Sequence, residues 1–267
     1  MLADVLPLLR CPACAAELAQ ADGQVRCGSG HAFDVARQGY LSLLPGGART
    51  STADSADMVA ARADFLAAGH YDPVTEALAA AVGQGPVLDV GAGTGRHLAG
   101  VLERVDGPGI ALDLSKHAAR RAARAHPRVG AVVADAWQAL PVRDGVVGAL
   151  LSVFAPRGPQ EAARVLAPDG RLVVATPTAR HLGELVGPLG LVSVDPDKDA
   201  RLAKQLAGFR PLSEELVERA LVLTAGDVRA AVAMGPSARH LDAAALPDLA
   251  GEVTLSVRVA AYDPPEP

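Results

Sequence analysis

Apolar positions in the first third of the chain recur at helical intervals, and from residue 86 onward they gather into short runs. In DSADMVAARADFLAA, residues 54–68, Met58, Ala61, Phe65 and Ala68 share one helical face, and Gly69 is a natural stop. GHYDP follows at 69–73, and a second helix is predicted over 74–82. Ahead of both, residues 32–50 read as a short extended piece closed by a Pro-Gly turn. The later pattern is different. PVLDV (86–90), IALDL (110–114), AVVAD (131–135), GALLSV (148–153) and RLVVAT (171–176) alternate with helix-like segments. That order implies βαβ units and a mostly parallel sheet. ALVLT (220–224) and VTLSVRVAAY (253–262) read as further strands, with DVRAAVAM (227–234) as a helix between them. Seven strands complete an open doubly wound sheet. DPDKDA, at 195–200, reads as a loop, and the closing DPPEP as a frayed tail.

Composition narrows the class. Half of the 267 residues are hydrophobic but only 3% are aromatic, so the core is built from Ala, Val and Leu. The length admits one large domain or a medium domain with a small module attached. No apolar run reaches the roughly 18–20 residues of a membrane helix, so no membrane association is expected. MLADVLPLLR lacks a basic leader and a long apolar stretch, so no secretion signal is expected. Three cysteines cannot form a fully paired disulfide framework, and a reducing cytoplasm is the expected compartment.

All three cysteines fall within CPACAAELAQADGQVRCGSGH, residues 11–31, with one histidine closing the stretch. The spacing is Cys11-x2-Cys14, then Cys27-x3-His31. Two close pairs on two turns can converge on one tetrahedral cation, and three thiolates with one imidazole suit zinc. Pro12 and Gly28 fit tight knuckles, and ADG at 21–23 reads as the hairpin turn between them. Four ligands leave no open coordination position, so a structural ion is expected. A segment of this size has little core of its own and would take stability from the metal.

The first strand of the parallel series runs into Asp89-Val-Gly91-Ala-Gly93-Thr94-Gly95 and then a helix. The spacing is GxGxG, unlike the GxGxxG of a dinucleotide fold. Asp89 would be unwelcome beside a pyrophosphate but suits a cationic group, such as the amino group of a methionine moiety. Asp113, at the end of the second strand, is placed for ribose hydroxyls. Asp135, at the end of the third, suits an adenine amino group, with Ala136 as an apolar wall. Three strand-end aspartates after a glycine turn form the pattern of class I S-adenosylmethionine methyltransferases. The fold expected is therefore α/β: a Rossmann-like, doubly wound seven-stranded sheet with a small N-terminal zinc-binding module.

Net charge is -5, which argues against polyanion binding by the surface as a whole but leaves room for a local basic patch. Lys116, Arg120, Arg124 and Arg128 recur every four residues, with Arg121 beside them, and predict one cationic helix stripe. After the fourth parallel strand, the loop carrying Phe154 and Arg157 faces the expected acceptor position. Both are candidate acceptor contacts: under the family resemblance given next, Phe154 could stack on a flipped base and Arg157 could stabilise a guanine anion or bind phosphate.

The chain resembles the RlmA-type 23S rRNA guanine-N1-methyltransferases, a family that includes the tylosin- and mycinamicin-resistance methyltransferases. The segments that carry the resemblance are CPAC, CGSGHAFDVARQGYLSLLPG, DSADM, FLAAGHYDP, VLDVGAGTG, LDLSKHAARRAAR, FAP and VVATPTARHLGEL. They run from residue 11 to about 185; the last eighty residues share only the family's strand-helix-strand rhythm. The resemblance implies zinc on Cys11, Cys14, Cys27 and His31, and cofactor contacts at Tyr71, the Gly93-Thr94 pair and His181. It also implies a 23S rRNA hairpin as partner, methyl transfer from S-adenosylmethionine to guanine N1, a link to macrolide resistance and a homodimer. The expected organisation is a zinc module over 1–38 that recognises rRNA, a helical connector over 39–83 and a methyltransferase domain over 84–267. Two other readings share the same motifs: a small-molecule methyltransferase, and a non-catalytic zinc-dependent binding protein.

Overall fold

The computed structural model describes residues 2–21, 23–48, 50–155, 158–195, 197–241 and 245–265. The chain opens with a short helix, α1 (Leu2–Val5). A three-stranded antiparallel sheet follows, built from β1 (Leu18–Ala21), β2 (Gln24–Cys27) and β3 (Ala32–Asp34). A two-residue strand, β4 (Leu41–Ser42), leads to α2 (Ala56–Ala67) and α3 (Asp72–Ala81). The Ser55 hydroxyl accepts the Met58 N–H and starts α2, and Pro73 sits in the first turn of α3, where no N–H is needed.

The parallel series comprises β5 (Val87–Val90), α4 (Arg96–Leu102), β6 (Gly109–Asp113), α5 (Lys116–Ala122), β7 (Val129–Val133), β8 (Val147–Val153), α6 (Pro159–Val165) and β9 (Leu166–Pro177). Then come α7 (Gly183–Leu189), α8 (Lys198–Gln205), β10 (Arg210–Leu223), α9 (Ala225–Ala233) and β11 (Gly251–Asp263). The large sheet has the order β10-β11-β9-β8-β5-β6-β7-β4. β11 runs antiparallel to β9 and β10, and the other pairs are parallel. The seven expected strands are all present. β4 adds an eighth at the edge, because Leu41 and Leu43 find buried seats beside β7. Strand order reverses at β5, between β6 and β8, which opens a crevice at the carboxyl edge of the sheet.

Alternation along the strands sends apolar side chains to both faces. One face packs against α2, α3, α4 and α9 through residues such as Phe65, Leu78, Leu98 and Val228. The other packs against α1, α6 and α8, and against the small sheet itself: Cys11, Leu18, Val25 and Cys27 share a core with Leu88, Ile110 and Val132. Val5 of α1 presses so closely on β7 that a Cβ at Gly130 would lie 2.2 Å from its Cγ2. The root of the small sheet is hydrogen-bonded to the β7–β8 connection, Arg10 N–H to the Pro141 carbonyl at 3.0 Å and Arg143 N–H to the Leu8 carbonyl at 2.9 Å.

Two expectations are corrected here. The end of the expected DPDKDA loop, residues 198–200, instead opens the helix Lys198–Gln205, because Leu202, Leu206 and Phe209 are buried at helical spacing under the sheet. Arg128 does not belong to the cationic stripe: α5 ends at Ala122, and the Arg128 guanidinium donates to the carbonyls of Leu102, Val105 and Gly107. Among the described residues no helix is long and apolar enough to cross a membrane.

Candidate functional site

A cavity of about 630 Å³ opens at the carboxyl edge of β5, β6, β7 and β8. Its floor is the turn after β5. Gly93 and Gly95 have φ of 55° and 76°, a region that favours glycine. A Cβ at Gly95 would also meet Ala122 at 3.0 Å, so the turn lies against α5 with no room for a side chain. Asp113 braces this turn: its two carboxylate oxygens accept the Gly93 and Ser115 N–H groups, each at 2.8 Å.

Asp89 is buried at the end of β5, and among the described residues its Oδ1 has no hydrogen-bond partner. Burial, and then the nearby charge of Asp113, push its carboxyl up to about 7. The Thr94 hydroxyl is likewise buried without a partner. A buried carboxylate and hydroxyl left unsatisfied cost free energy that a cationic, hydrogen-bonding ligand would restore. S-adenosylmethionine carries such an ammonium, so these residues fit it. Asp135 lies two residues beyond β7, where its Oδ1 accepts the Trp137 N–H at 2.9 Å. Ala136 lines the cavity beside it, and Trp137 is 73% exposed at the rim.

An aromatic wall faces the glycine turn. The Tyr71 hydroxyl lies 2.8 Å from His181 Nε2, and His181 Nδ1 accepts the Ser256 N–H at 3.3 Å. That backbone bond sets the tautomer: the proton is on Nε2, which donates to Tyr71. Burial, with a contribution from Lys198, lowers the His181 imidazole to about 4, so it stays neutral near pH 7. Burial also raises the Tyr71 phenol, which stays protonated. Phe154 stacks on His181 with ring centres 5.9 Å apart and approaches Tyr71 at the same distance. Its φ is 52°, a strained value for an aromatic residue, and the neighbouring wall residue Leu182 shares it. The cavity continues past this wall into an apolar lobe lined by Val186, Leu191, Val192 and Met234.

The second site is the cysteine cluster. Single ligand atoms from Cys11, Cys14, Cys27 and His31 all lie within 4.8 Å of one another. Cys14 Sγ is 3.7 Å from Cys27 Sγ, and His31 Nδ1 is 3.6 Å from Cys11 Sγ and 3.3 Å from Cys27 Sγ. A tetrahedron with metal–sulfur bonds of about 2.3 Å and a metal–nitrogen bond of about 2.0 Å has edges of about 3.5–3.8 Å. The spacing therefore fits zinc. Hydrogen bonds from Ser29 and the Ala16 N–H lower the Cys14 thiol to about 6, which favours the thiolate a metal needs.

Comparison with known proteins matches both parts of the chain. The RlmA N-terminal zinc-ribbon model matches residues 9–52, and a methyltransferase-domain model matches residues 87–170. The Streptomyces fradiae protein named 23S rRNA (guanine(748)-N(1))-methyltransferase is 50% identical, covering 96% of this chain and 97% of its own. A Micromonospora griseorubida protein named "Putative 23S rRNA (guanine-N(1)-)-methyltransferase" is also 50% identical, covering 98% of this chain and 99% of its own. This chain belongs to the 23S rRNA guanine-N1-methyltransferase family. Its large sheet is the class I S-adenosylmethionine methyltransferase domain that the family model matches, and its fold is similar to that of the YcgJ protein of Bacillus subtilis. That structure is 17% identical, has a TM-score of 0.50 and matches over 74% of this chain and 100% of its own, a likeness of fold alone.

The fold of this methyltransferase brings Tyr71, Asp89, Gly91, Gly93, Asp113, Asp135, Ala136, Phe154 and His181 to one cavity. Thr94 and Gly95 complete the turn beneath it. Arg157 lies outside the described residues. Other wall residues carried no sequence signal of their own. Arg62 of α2 lies over Gly93, pairs with Asp54 and donates to the Met234 carbonyl at 2.7 Å. His97 bonds the Thr75 hydroxyl at 2.8 Å and is lowered to about 4 by burial. The helix over 54–68 was legible, but not that it lies across the glycine turn.

Proposed function

We propose that this methyltransferase modifies N1 of a guanine in a 23S rRNA hairpin, in the cytoplasm. Guanine 748, the position in the name of the Streptomyces fradiae relative, is the first candidate. The observation that carries the proposal is the division of one cavity into two differently furnished ends. One end has a glycine turn and a buried carboxylate whose Oδ1 has no hydrogen-bond partner among the described residues; the other has an aromatic and apolar wall open to solvent.

When bound, S-adenosylmethionine supplies an activated methyl group on a sulfonium. Asp89 holds its ammonium, with the Gly91–Gly95 turn and Thr94 beneath, and Asp113 receives the ribose through lone pairs left after bracing Gly93 and Ser115. Asp135 and Ala136 border the adenine, and Tyr71 and His181 stand as neutral groups beside the reacting centre. Phe154 is the platform for a flipped base. Positioning is the enzyme's main contribution, because the methyl donor is already a good electrophile.

The zinc module, residues 1–38, recognises RNA; residues 39–83 connect it to the transfer domain, 84–267. The ribbon is rooted at residues 141–143, on the same connection that carries Asp135 and Trp137 at the cavity rim. RNA held by the ribbon is therefore held next to the mouth. Lys116, Arg120, Arg121 and Arg124 are exposed, and Gly39 packs against Ala123, which brings exposed Arg37 of the ribbon's exit to the same side. None of these five cations makes a salt bridge among the described residues. Together they suit an RNA backbone. Incubation with rRNA lacking the modification and labelled S-adenosylmethionine should transfer label and create a reverse-transcription stop at the guanine, since N1 methylation blocks base pairing. Label without a stop would place the methyl group elsewhere, and label on small molecules alone would favour a small-molecule acceptor.

A further inference from the structure

The β7–β8 connection holds a tryptophan out into solvent. Of the Phe, Tyr and Trp side chains among the described residues, only Phe154 and Trp137 are exposed, 41% and 73%, and both line the same cavity. A chain with 3% aromatic residues thus places its two exposed ones at one mouth. Trp137 sits in a tight turn over residues 135–138. The Gln138 N–H donates to the Asp135 carbonyl at 3.1 Å, and the Trp137 N–H donates to the Asp135 carboxylate at 2.9 Å. The chain beyond the turn is fastened as well. The Leu140 N–H donates to the Glu161 carboxylate at 2.6 Å, and the Arg164 guanidinium donates to the Leu140 and Val142 carbonyls at 3.0 and 2.7 Å. The charges there are matched: Asp144 pairs with Arg10 and Arg164, Glu161 with Arg164, and Arg143 with Glu17. The backbone is therefore fixed while the indole stays in water, where so large an apolar surface contributes little to folding.

An acceptor base that enters the cavity leaves its stack, and the bases beside it lose that stacking. Phe154, stacked on His181 in the wall, is the platform for the acceptor itself. Trp137 stands at the rim, on the connection where the zinc ribbon is rooted through Arg10 and Arg143. We propose that Trp137 is a substrate-positioning residue: its indole stacks on an unpaired base adjoining the acceptor guanine and holds the hairpin in place while the guanine occupies the cavity. Such a stack needs no particular base, because every base has a π face. Exposure favours the RNA over the cofactor's adenine as the occupant. Asp135 and Ala136 border the adenine, whereas most of the indole surface lies open at the mouth. The proposal rests on the acceptor being a guanine in an rRNA hairpin.

Trp137 is the chain's single tryptophan, so intrinsic fluorescence reports on it alone. The test measures acrylamide quenching of the full-length, zinc-loaded protein, first with S-adenosylhomocysteine and then with a synthetic, unmodified 23S rRNA hairpin. The hairpin should shield the indole, and S-adenosylhomocysteine alone should not. In steady-state methylation, Trp137→Ala should raise the KM for rRNA about 5–150-fold, the usual worth of one base–aromatic stack. Its kcat, S-adenosylmethionine affinity and thermal midpoint should stay near wild type. Trp137→Phe should keep most of the rRNA affinity, and Trp137→Leu, apolar but without a π face, should resemble the alanine variant. An abasic site at one position flanking the guanine should cost wild-type protein the same factor and cost Trp137→Ala little. An indole left open by the hairpin, or a wild-type KM in Trp137→Ala, overturns the proposal. So does shielding by S-adenosylhomocysteine alone with weakened cofactor binding in Trp137→Ala, because the indole would then wall the adenine. The two readings fail separately. A reverse-transcription stop at a guanine with an open indole keeps the guanine and overturns the stack; a shielded indole with the methyl group elsewhere in the RNA keeps the stack and moves the acceptor.

Discussion

The two polar clusters of this protein are built in opposite ways. In the zinc ribbon, four ligand atoms from residues 11–31 converge on one point, and zinc would leave no coordination position open. In the cavity, wall residues come from positions 52 to 237, and Asp89 and Thr94 keep buried atoms without partners among the described residues. Each such atom costs about 1–3 kcal/mol of stability, more when it is charged. A closed cluster fastens the chain and can be written into a short stretch. An open cluster is stable enough to exist only because a large fold surrounds it, and its unmet bonds are what a ligand binds.

The largest effect should follow from opening the closed cluster. Cys27→Ser, or a strong chelator, should release the ribbon and abolish rRNA methylation, because structural zinc contributes on the order of 10 kcal/mol to small domains. Cys27 also lies in the core shared with the large sheet, so the midpoint of thermal unfolding should fall. Methylation of rRNA at the wild-type rate by zinc-free protein would show that the ribbon does not steer the substrate.

Neutralising the open cluster should do the reverse to stability. Asp89→Asn should raise the S-adenosylmethionine Kd about 10–100-fold, the usual worth of a charged hydrogen bond. It should also stabilise the ligand-free protein. The folded protein holds the Asp89 proton up to about pH 7, whereas an ordinary aspartate releases it near 3.8. Between those values the folded state binds the extra proton, so stability declines as pH rises through the window and stays lower above it. The asparagine variant escapes that decline. Its thermal midpoint should exceed wild type clearly at pH 8 and only slightly at pH 5; equal midpoints at pH 8 would mean that Asp89 has a partner.

The smallest effect should come from the surface that joins the two clusters. Arg120→Glu with Arg124→Glu should weaken rRNA binding and lower the salt slope by about one per arginine, leaving S-adenosylmethionine affinity intact. Unchanged rRNA affinity would separate α5 from the RNA path.

Much of this was readable along the chain. The β5 to β9 runs are strong because both faces of the sheet are covered and almost every position is apolar. The strand-end aspartates and the glycine turn could be placed because they are tied to those runs. Edge strand β10 was only partly legible: it extends from Arg210 to Leu223, but Val217 and Leu223 are its only buried residues among those described. Arg128 illustrates the opposite error. Four-residue spacing suggested a stripe, but the helix ends at Ala122 and the guanidinium caps the carbonyls beyond α4. Nothing in DPDKDA announced that Leu202, Leu206 and Phe209 would fold its end into a helix and carry Lys198 to the cavity.

What the sequence determined alone is whatever depends on neighbours in the chain: the ligand spacing of the ribbon, the strand and helix periods, and the turn that only glycines can make. Tertiary structure decided which distant groups meet: Tyr71 with His181, Arg62 over Gly93, the ribbon's root on residues 141–143, and Lys198 facing the aromatic wall. The reason is physical. Spacing and backbone preference act over a few residues, whereas burial brings together residues far apart in the chain, and the cost of an unmet charge is set by surroundings that only the packed sheet provides.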